Sequence, residues 1–561
     1  MTEKNQGTLF NPTRRQALTL MGWAGLAGMS TAGSVFPSLF GASEAFAAGT
    51  KTLNKQMVIG FSQEPTVFNP HLLHIEVDEG IYYGVFDALF RVTPEGTFEP
   101  MLAVEVPTVA NGGISADGLQ WKVKLRDDVT WHDGKPFTAN DVKFTLELLV
   151  DPKFRSWRRT GHDLIRDLKV VSPTELTWRM DKPFAPYAAI LSDTFIVPEH
   201  VLGPVEDRNS APFNNAPIGT GPFKWERRVA GDFIELSANT QYFGKGPYLE
   251  KMIFKYIPDL TVLYTQFSTG DIDVVGLQWI TLDHYEESKK LPGKEVATFN
   301  DSTVETLAFN MGKPQFKDLA VREALYLAVD KDTILSALYY GLPSPTETYI
   351  PLQSYYHNPN LPKHEYSVDK ANAKLEAAGW KKGADGIRAK DGVKLAFSNS
   401  TTAGNHLREQ MQQFLQQSFK EIGVEMTISN LPPAVMWGDF WMMSQFESSI
   451  VGLDFLTAAD PDTSDYFKST SSPAKGGSGQ NTWQYQSAEV DALLKEGAEQ
   501  FAPETRRVTY FKLQEVVRHD LPFLPLFPFT EVRGHKVGAQ NVIPNVNVRI
   551  DTWNVADWRW S

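Results

Sequence analysis

Residues 125–147, LRDDVTWHDGKPFTANDVKFTLE, decide how the rest of the chain is read. They open at the end of an alternating run: Trp121, Val123 and Leu125 share one face, and Lys122 and Lys124 share the other. That period of two is the pattern of a half-buried strand. Asp127-Asp128 breaks the strand, and Val129 and Trp131 form a short second apolar pair. Asp133-Gly134 is a tight-turn dipeptide, because both residue types tolerate positive φ. Thr138 then stands three residues before Asp141, ahead of Val142, Phe144, Leu146 and Leu149. This spacing predicts a capped helix start, with the hydroxyl satisfying an orphan N–H and the carboxylate facing the positive helix end. The unit is a strand, a hairpin and a capped helix, without a reactive constellation.

Leu125-Arg126, Trp131, Asp133-Gly134, Pro136, Thr138-Ala139 and Asp141-Val142 resemble the signature of family 5 extracellular solute-binding proteins. This is the peptide/nickel/opine class that feeds ABC importers, and it includes dipeptide- and oligopeptide-binding proteins. Further matches follow in the family's order: Gly219-Thr220-Gly221-Pro222-Phe223, the strand beginning Gly270-Asp271-Ile272-Asp273, the 305–310 strand, and the 521–527 return. The resemblance covers residues from about 57 to 530. It implies an α/β, two-lobed periplasmic-binding-protein fold (type II, three-domain cluster C variety), with mixed sheets flanked by helices and a small inserted domain. On that pattern residues 48–93, 217–311 and 528–561 build lobe I, 94–216 the inserted domain, and 312–527 lobe II.

The N-terminus reads as an address. Arg14-Arg15 precede a weakly apolar run over 17–29, and Ala45-Phe46-Ala47 supplies a small-x-small cleavage site, so residues 1–47 read as a twin-arginine export signal. The apolar run is too short and interrupted to span a bilayer as a helix. There are no cysteines in 561 residues, which argues against a lipid-anchored N-terminus, a disulfide framework, cysteine-ligated zinc and a thiol nucleophile. The net charge is −13, and removing the leader's Lys4, Arg14 and Arg15 together with Glu3 and Glu44 makes it −14. An acidic chain without a basic run is a poor nucleic-acid binder. A soluble, monomeric periplasmic protein is the expectation.

The site is read partly from order and partly from resemblance. The strand–helix–strand order of residues 395–428 implies a mostly parallel sheet with ligand over its strand ends, which makes the 401–406 loop, with Asn405, a cleft wall. The resemblance implies contacts from His74, Ile75 and Glu76 and from Gln278 and Trp279. It further implies stacking by Trp279, Trp437 or Trp483, and a positive ligand group taken by Asp454 or Glu305. Peptide-binding relatives carry an aspartate shortly after a Gly-Trp pair to capture the α-ammonium. Here the pair is Gly452-Leu453, the aspartate's register falls on Leu456 or Thr457, and Asp454 is the nearest acid. His71, His74 and Glu76 also read as a chelate-binding cluster, but three ligand types in so short a loop fix no coordination geometry. No HExxH or GxSxG is present, and pairs such as Asp271/Asp273 and Asp460/Asp462 sit at turns and strand ends, so neither an enzyme nor a cofactor is expected. The expected role is capture of a short peptide or amino-acid conjugate for an inner-membrane ABC permease with its cytoplasmic ATPase. An oligosaccharide or metal chelate is the alternative solute, and an exported hydrolase the alternative class.

Overall fold

The computed structural model describes residues 54–276, 280–455, 460–477, 479–548 and 550–561, so the leader, Gln278 and Trp279 lie outside the described residues. The chain opens with β1 (Asn54–Phe61), which buries Met57, Ile59 and Phe61, and α1 (Glu76–Val85). It then leaves the main sheet for a small unit built from β2 (Gln120–Lys124), α2 (Ala139–Val150), β3 (Ile165–Ser172) and β4 (Glu175–Met180).

The stretch at 125–147 folds as its pattern predicts. β2 alternates exposed and buried residues, placing Trp121 and Val123 in a core with Trp131, Leu146, Trp178 and Tyr187. The tight turn closes with Gly134 N donating to the Trp131 carbonyl at 2.8 Å, and Gly134 takes φ +87. Thr138 caps α2 by accepting from Asn140 N at 3.3 Å, while Asp141 Oδ2 accepts from Thr138 N at 2.9 Å. Between turn and cap, His132 reaches the Gly219–Phe223 motif: Nε2 lies 3.0 Å from the Gly221 carbonyl, and Nδ1 accepts from Gly219 N at 3.2 Å. That network assigns the proton to Nε2. Burial lowers the His132 pKa to about 4, which keeps the ring neutral and able to do both. A side chain at Gly219 would strike the Val85 carbonyl, so glycine there lets the turn approach α1.

The main sheet resumes with β5 (Phe223–Val229), β6 (Phe233–Ala238), β7 (Leu249–Tyr256) and β8 (Val274–Val275). The long β9 (Lys294–Phe309) follows, then α3 (Leu319–Leu327), β10 (Ala396–Ser400), α4 (His406–Glu421), β11 (Glu425–Ile428) and β12 (Ser448–Asp454). α5 (Ala488–Glu499), α6 (Pro503–Asp520) and the long β13 (Phe523–Lys536) complete the lobes. One sheet of ten strands joins them, in the order β11-β10-β12-β9-β13-β8-β1-β7-β6-β5. β10 pairs in parallel with β11 and β12, as a strand–helix–strand order requires. The mostly parallel sheet expected there is nevertheless mixed, because β9 runs antiparallel to both β12 and β13.

β9 and β13 carry the architecture. Strands of this length reach about 50 Å, enough to serve both lobes. The first half of β9 pairs with the last half of β13 beside β8, and the remaining halves pair beside β12. Between the halves the register slips at Asn300/Val304 and again at Glu305/Thr306, facing Pro528 and Pro525. Proline has no N–H for a ladder, so it belongs at such bulges. Alternate residues then sort to opposite faces. Leu307, Ile450, Leu524 and Leu526 pack under α3 and α4, while Val304, Val451 and Phe523 pack with Trp483, Tyr510 and Leu513 on the other side. Among the described residues no helix is long and apolar enough to cross a membrane.

Candidate functional site

The slipped segment between the two lobes gathers acids from five places in the chain. Asp301 lies in β9, Glu531 in β13, Asp454 at the end of β12, Glu76 at the start of α1, and Asp551 near the C-terminus. Ser302 Oγ donates to Asp454 Oδ1 at 3.3 Å, and Thr303 Oγ1 donates to Asp301 Oδ2 at 3.1 Å. Arg533, two residues beyond Glu531 on the same face of β13, holds Glu531 at 2.5 Å and also contacts Asp551. The Arg533 guanidinium sits 4.5 Å above the Phe299 ring. Thr530 Oγ1 donates to Asn300 Oδ1 at 2.8 Å, tying the two strands together where the ladder is interrupted. Ile280 N donates to the Val532 carbonyl at 2.9 Å, which anchors the segment after Trp279 beside this cluster.

Burial raises the Asp301 pKa, and the neighbouring Asp454 adds to the rise, against Ser302 N and Arg533. Burial pushes Glu531 up to about 8; Arg533 opposes it, and Asp301 and Glu76 reinforce it. Among the described residues, the Arg533 guanidinium is shared between Glu531 and Asp551.

The residues expected at the site divide. Glu76, half-buried, and Asp454, half-buried, stand in the cluster. Ile75 is the residue preceding α1, and its N–H donates to Asp78 Oδ2 at 2.9 Å. His74 is turned into lobe I: Nδ1 lies 2.8 Å from the Leu72 carbonyl, Nε2 3.3 Å from Glu79 Oε1, and the ring packs edge-on to Tyr82 and Trp157. His71 Nε2 meets the Phe195 carbonyl at 2.6 Å, and burial lowers its pKa to about 4. Both histidines are therefore committed to the fold. Asn405 spends its side-chain oxygen on the Arg408 N–H as the α4 cap, at 3.2 Å.

Three expectations need correction. Trp437, 3% exposed, packs on Trp441, and Trp483, 0% exposed, is enclosed by Phe455, Tyr466, Phe467 and Phe523. Neither ring offers a face to a solute, because aromatic area in these positions does more for the lobe II core. Glu305 is 2% exposed and already holds a cation: Arg408 Nε lies 3.0 and 3.1 Å from its two oxygens. A side chain at Gly452 would come within 2.9 Å of Arg408 Nη2 and 2.6 Å of Phe529 Cζ, so the glycine admits the guanidinium against β12. Among the described residues, the two terminal nitrogens of Arg408 have no hydrogen-bond partner.

Asp301, Glu531, Arg533 and Asp551 were not singled out by sequence reasoning. The available signal was the Glu531-Val532-Arg533 alternation, which puts opposite charges on one face of a strand that is apolar over 523–529.

Two lobes joined by two long strands, with polar groups concentrated where the strands cross, define a two-lobed solute-binding protein. The family model "Bacterial extracellular solute-binding proteins, family 5 Middle" matches residues 97–478, and the chain belongs to this family. It is 28% identical over 496 residues to the oligopeptide-binding protein AppA of Bacillus subtilis (strain 168), covering 86% of this chain and 87% of that protein. The structure of AppA from Bacillus subtilis in complex with a nonapeptide superposes with a TM-score of 0.72 at 26% identity, covering 91% of this chain and 100% of that one. NikZ from Campylobacter jejuni in complex with Ni(L-His) gives a TM-score of 0.73 at 27% identity, covering 90% and 99%.

Proposed function

We propose that this protein is the periplasmic binding component of an ABC importer, capturing a short peptide or amino-acid conjugate between its lobes. The acidic cluster at the crossing of β9 and β13 carries this reading: Glu531 and Asp551 contact Arg533, Asp301 lies within electrostatic reach of Arg533 and Asp454, and Glu76 lies within reach of Glu531. A solute bearing an ammonium group meets that field directly, with Asp454 as the group placed on lobe II to receive it. The likeness to an oligopeptide-binding protein solved with a nonapeptide supports a peptide. Enclosure of Trp437 and Trp483 weakens the oligosaccharide alternative, which needs exposed rings. An amino-acid chelate such as the Ni(L-His) of the Campylobacter relative shares the amine chemistry and is the second reading. Delivery would be to an inner-membrane permease driven by a cytoplasmic ATPase, after export directed by Arg14-Arg15.

Mass spectrometry of small molecules released on denaturing freshly purified protein tests the reading. Peptides or amino-acid conjugates are expected, and a neutral sugar would overturn it. With the released solute in hand, Asp454→Asn should weaken binding about tenfold while leaving the thermal midpoint unchanged, and unchanged affinity would remove Asp454 from the site.

A further inference from the structure

The lobes touch a second time, away from the strands that join them. The turn at residues 500–502 links α5 to α6 in lobe II, and its Phe501 reaches the small unit carried by lobe I. The Phe501 and Trp121 ring centroids are 6.4 Å apart in an edge-on arrangement, with Trp121 buried in the small unit's core. Gly118 forms the rest of the seat. It has φ +73, and a Cβ built there would come within 2.7 Å of Phe501 Cζ and 3.2 Å of Pro183 Cβ. Only glycine holds that backbone conformation without strain and leaves the notch open. Beside the ring, Ala185 N of the small unit donates to the Ala498 carbonyl at the end of α5, at 2.8 Å. A main-chain hydrogen bond between lobes, next to an aromatic seated in a glycine notch, is a specific contact with defined geometry.

We infer that this contact is a clasp: the small unit is the docking face for the α5–α6 turn, and it holds the two lobes together from a point remote in sequence from the acidic crossing. β9 and β13 permit the lobes to rotate, because their ladder is interrupted between the halves, and the clasp sets where rotation stops. The consequence, slower release of a bound solute, rests on the solute-capture reading; the clasp geometry does not.

The chain has no cysteines, so spin labels placed by Lys122→Cys and Lys495→Cys, both on exposed positions, report the small unit–lobe II separation cleanly. In the unliganded full chain, pulsed electron-spin distance measurement should show a short-separation population matching this structure. Phe501→Ala in the same labelled background should reduce its ratio to longer separations about threefold to tenfold. A labelled parent with no short population, or coincident distributions for parent and Phe501→Ala, would overturn the clasp. Circular dichroism establishes folding of the variant; should Phe501→Ala not fold, Phe501→Leu, which keeps apolar bulk and loses the ring, is read in the same way. Once a solute is known, its dissociation rate should rise by a similar factor, and equal rates would overturn the clasp's effect on release. Release of a neutral sugar would sink the peptide reading alone, since the spin-label comparison needs no solute.

Discussion

Glu531 carries the sharpest test at the scale of one residue. Its folded pKa, raised to about 8 by burial with help from Asp301 and Glu76, lies above that of a glutamate in an unfolded chain, about 4.3. Between those values the folded protein binds a proton that the unfolded chain does not, so this group's contribution to stability falls as pH rises from about 5 to about 8. Below that window both states are protonated and the dependence ends. Glu531→Gln fixes the neutral form. Its melting temperature should gain on the parent by roughly 2 °C or more between pH 6 and pH 8.5, the parent having lost stability that the variant keeps. A gap that stays constant across that range would mean that Arg533 keeps Glu531 ionised throughout.

Between residue and fold stands the joint of α4 with β9. The Glu305–Arg408 pair, with side chains 3% and 1% exposed, locks the first turn of α4 onto the sheet just beyond the slipped register. Burial raises the Glu305 pKa, and Arg408 opposes the rise. Arg408→Ala therefore strands a buried carboxylate and should cost about 3–5 kcal/mol in urea unfolding. Glu305→Gln in the Arg408→Ala background should recover part of that, since it removes the uncompensated charge, and no recovery would mean that lost packing dominates. The strand–helix–strand order of residues 395–428 shows where α4 lies, yet gives no sign that Glu305 is spoken for. Leu125–Leu149 was legible for the opposite reason: turn, cap and alternation are all set by residues within a few positions of each other. Trp483 shows the limit. Its neighbours Phe455, Tyr466 and Phe523 come from distant segments, so nothing near it in sequence distinguishes a core ring from a stacking platform. The acidic crossing is equally nonlocal, assembled from positions 76, 301, 454, 531 and 551.

For the whole molecule, charge and shape act together on the encounter with a solute. The net charge of −13 makes the chain acidic as a whole, and those acids of the crossing that stay ionised add negative potential between low-dielectric lobes, where field lines focus; Glu531, protonated below about pH 8, adds none there. A cationic peptide should therefore be drawn in faster than a zwitterion of the same size. Screening shortens that reach from about 30 Å at 0.01 M salt to about 3 Å at 1 M. The association rate of a lysine-containing peptide, followed by stopped-flow tryptophan fluorescence, should fall about tenfold or more over that range. A neutral or zwitterionic analogue should change far less, and dissociation should respond weakly for both, because contacts made inside the closed cleft are shielded from bulk ions. Equal salt sensitivity for the two peptides would show that the acids at the crossing are balanced within the fold and do not steer solutes. In that event specificity would have to come from main-chain groups at the strand ends, which act at contact and leave no long-range electrostatic signature.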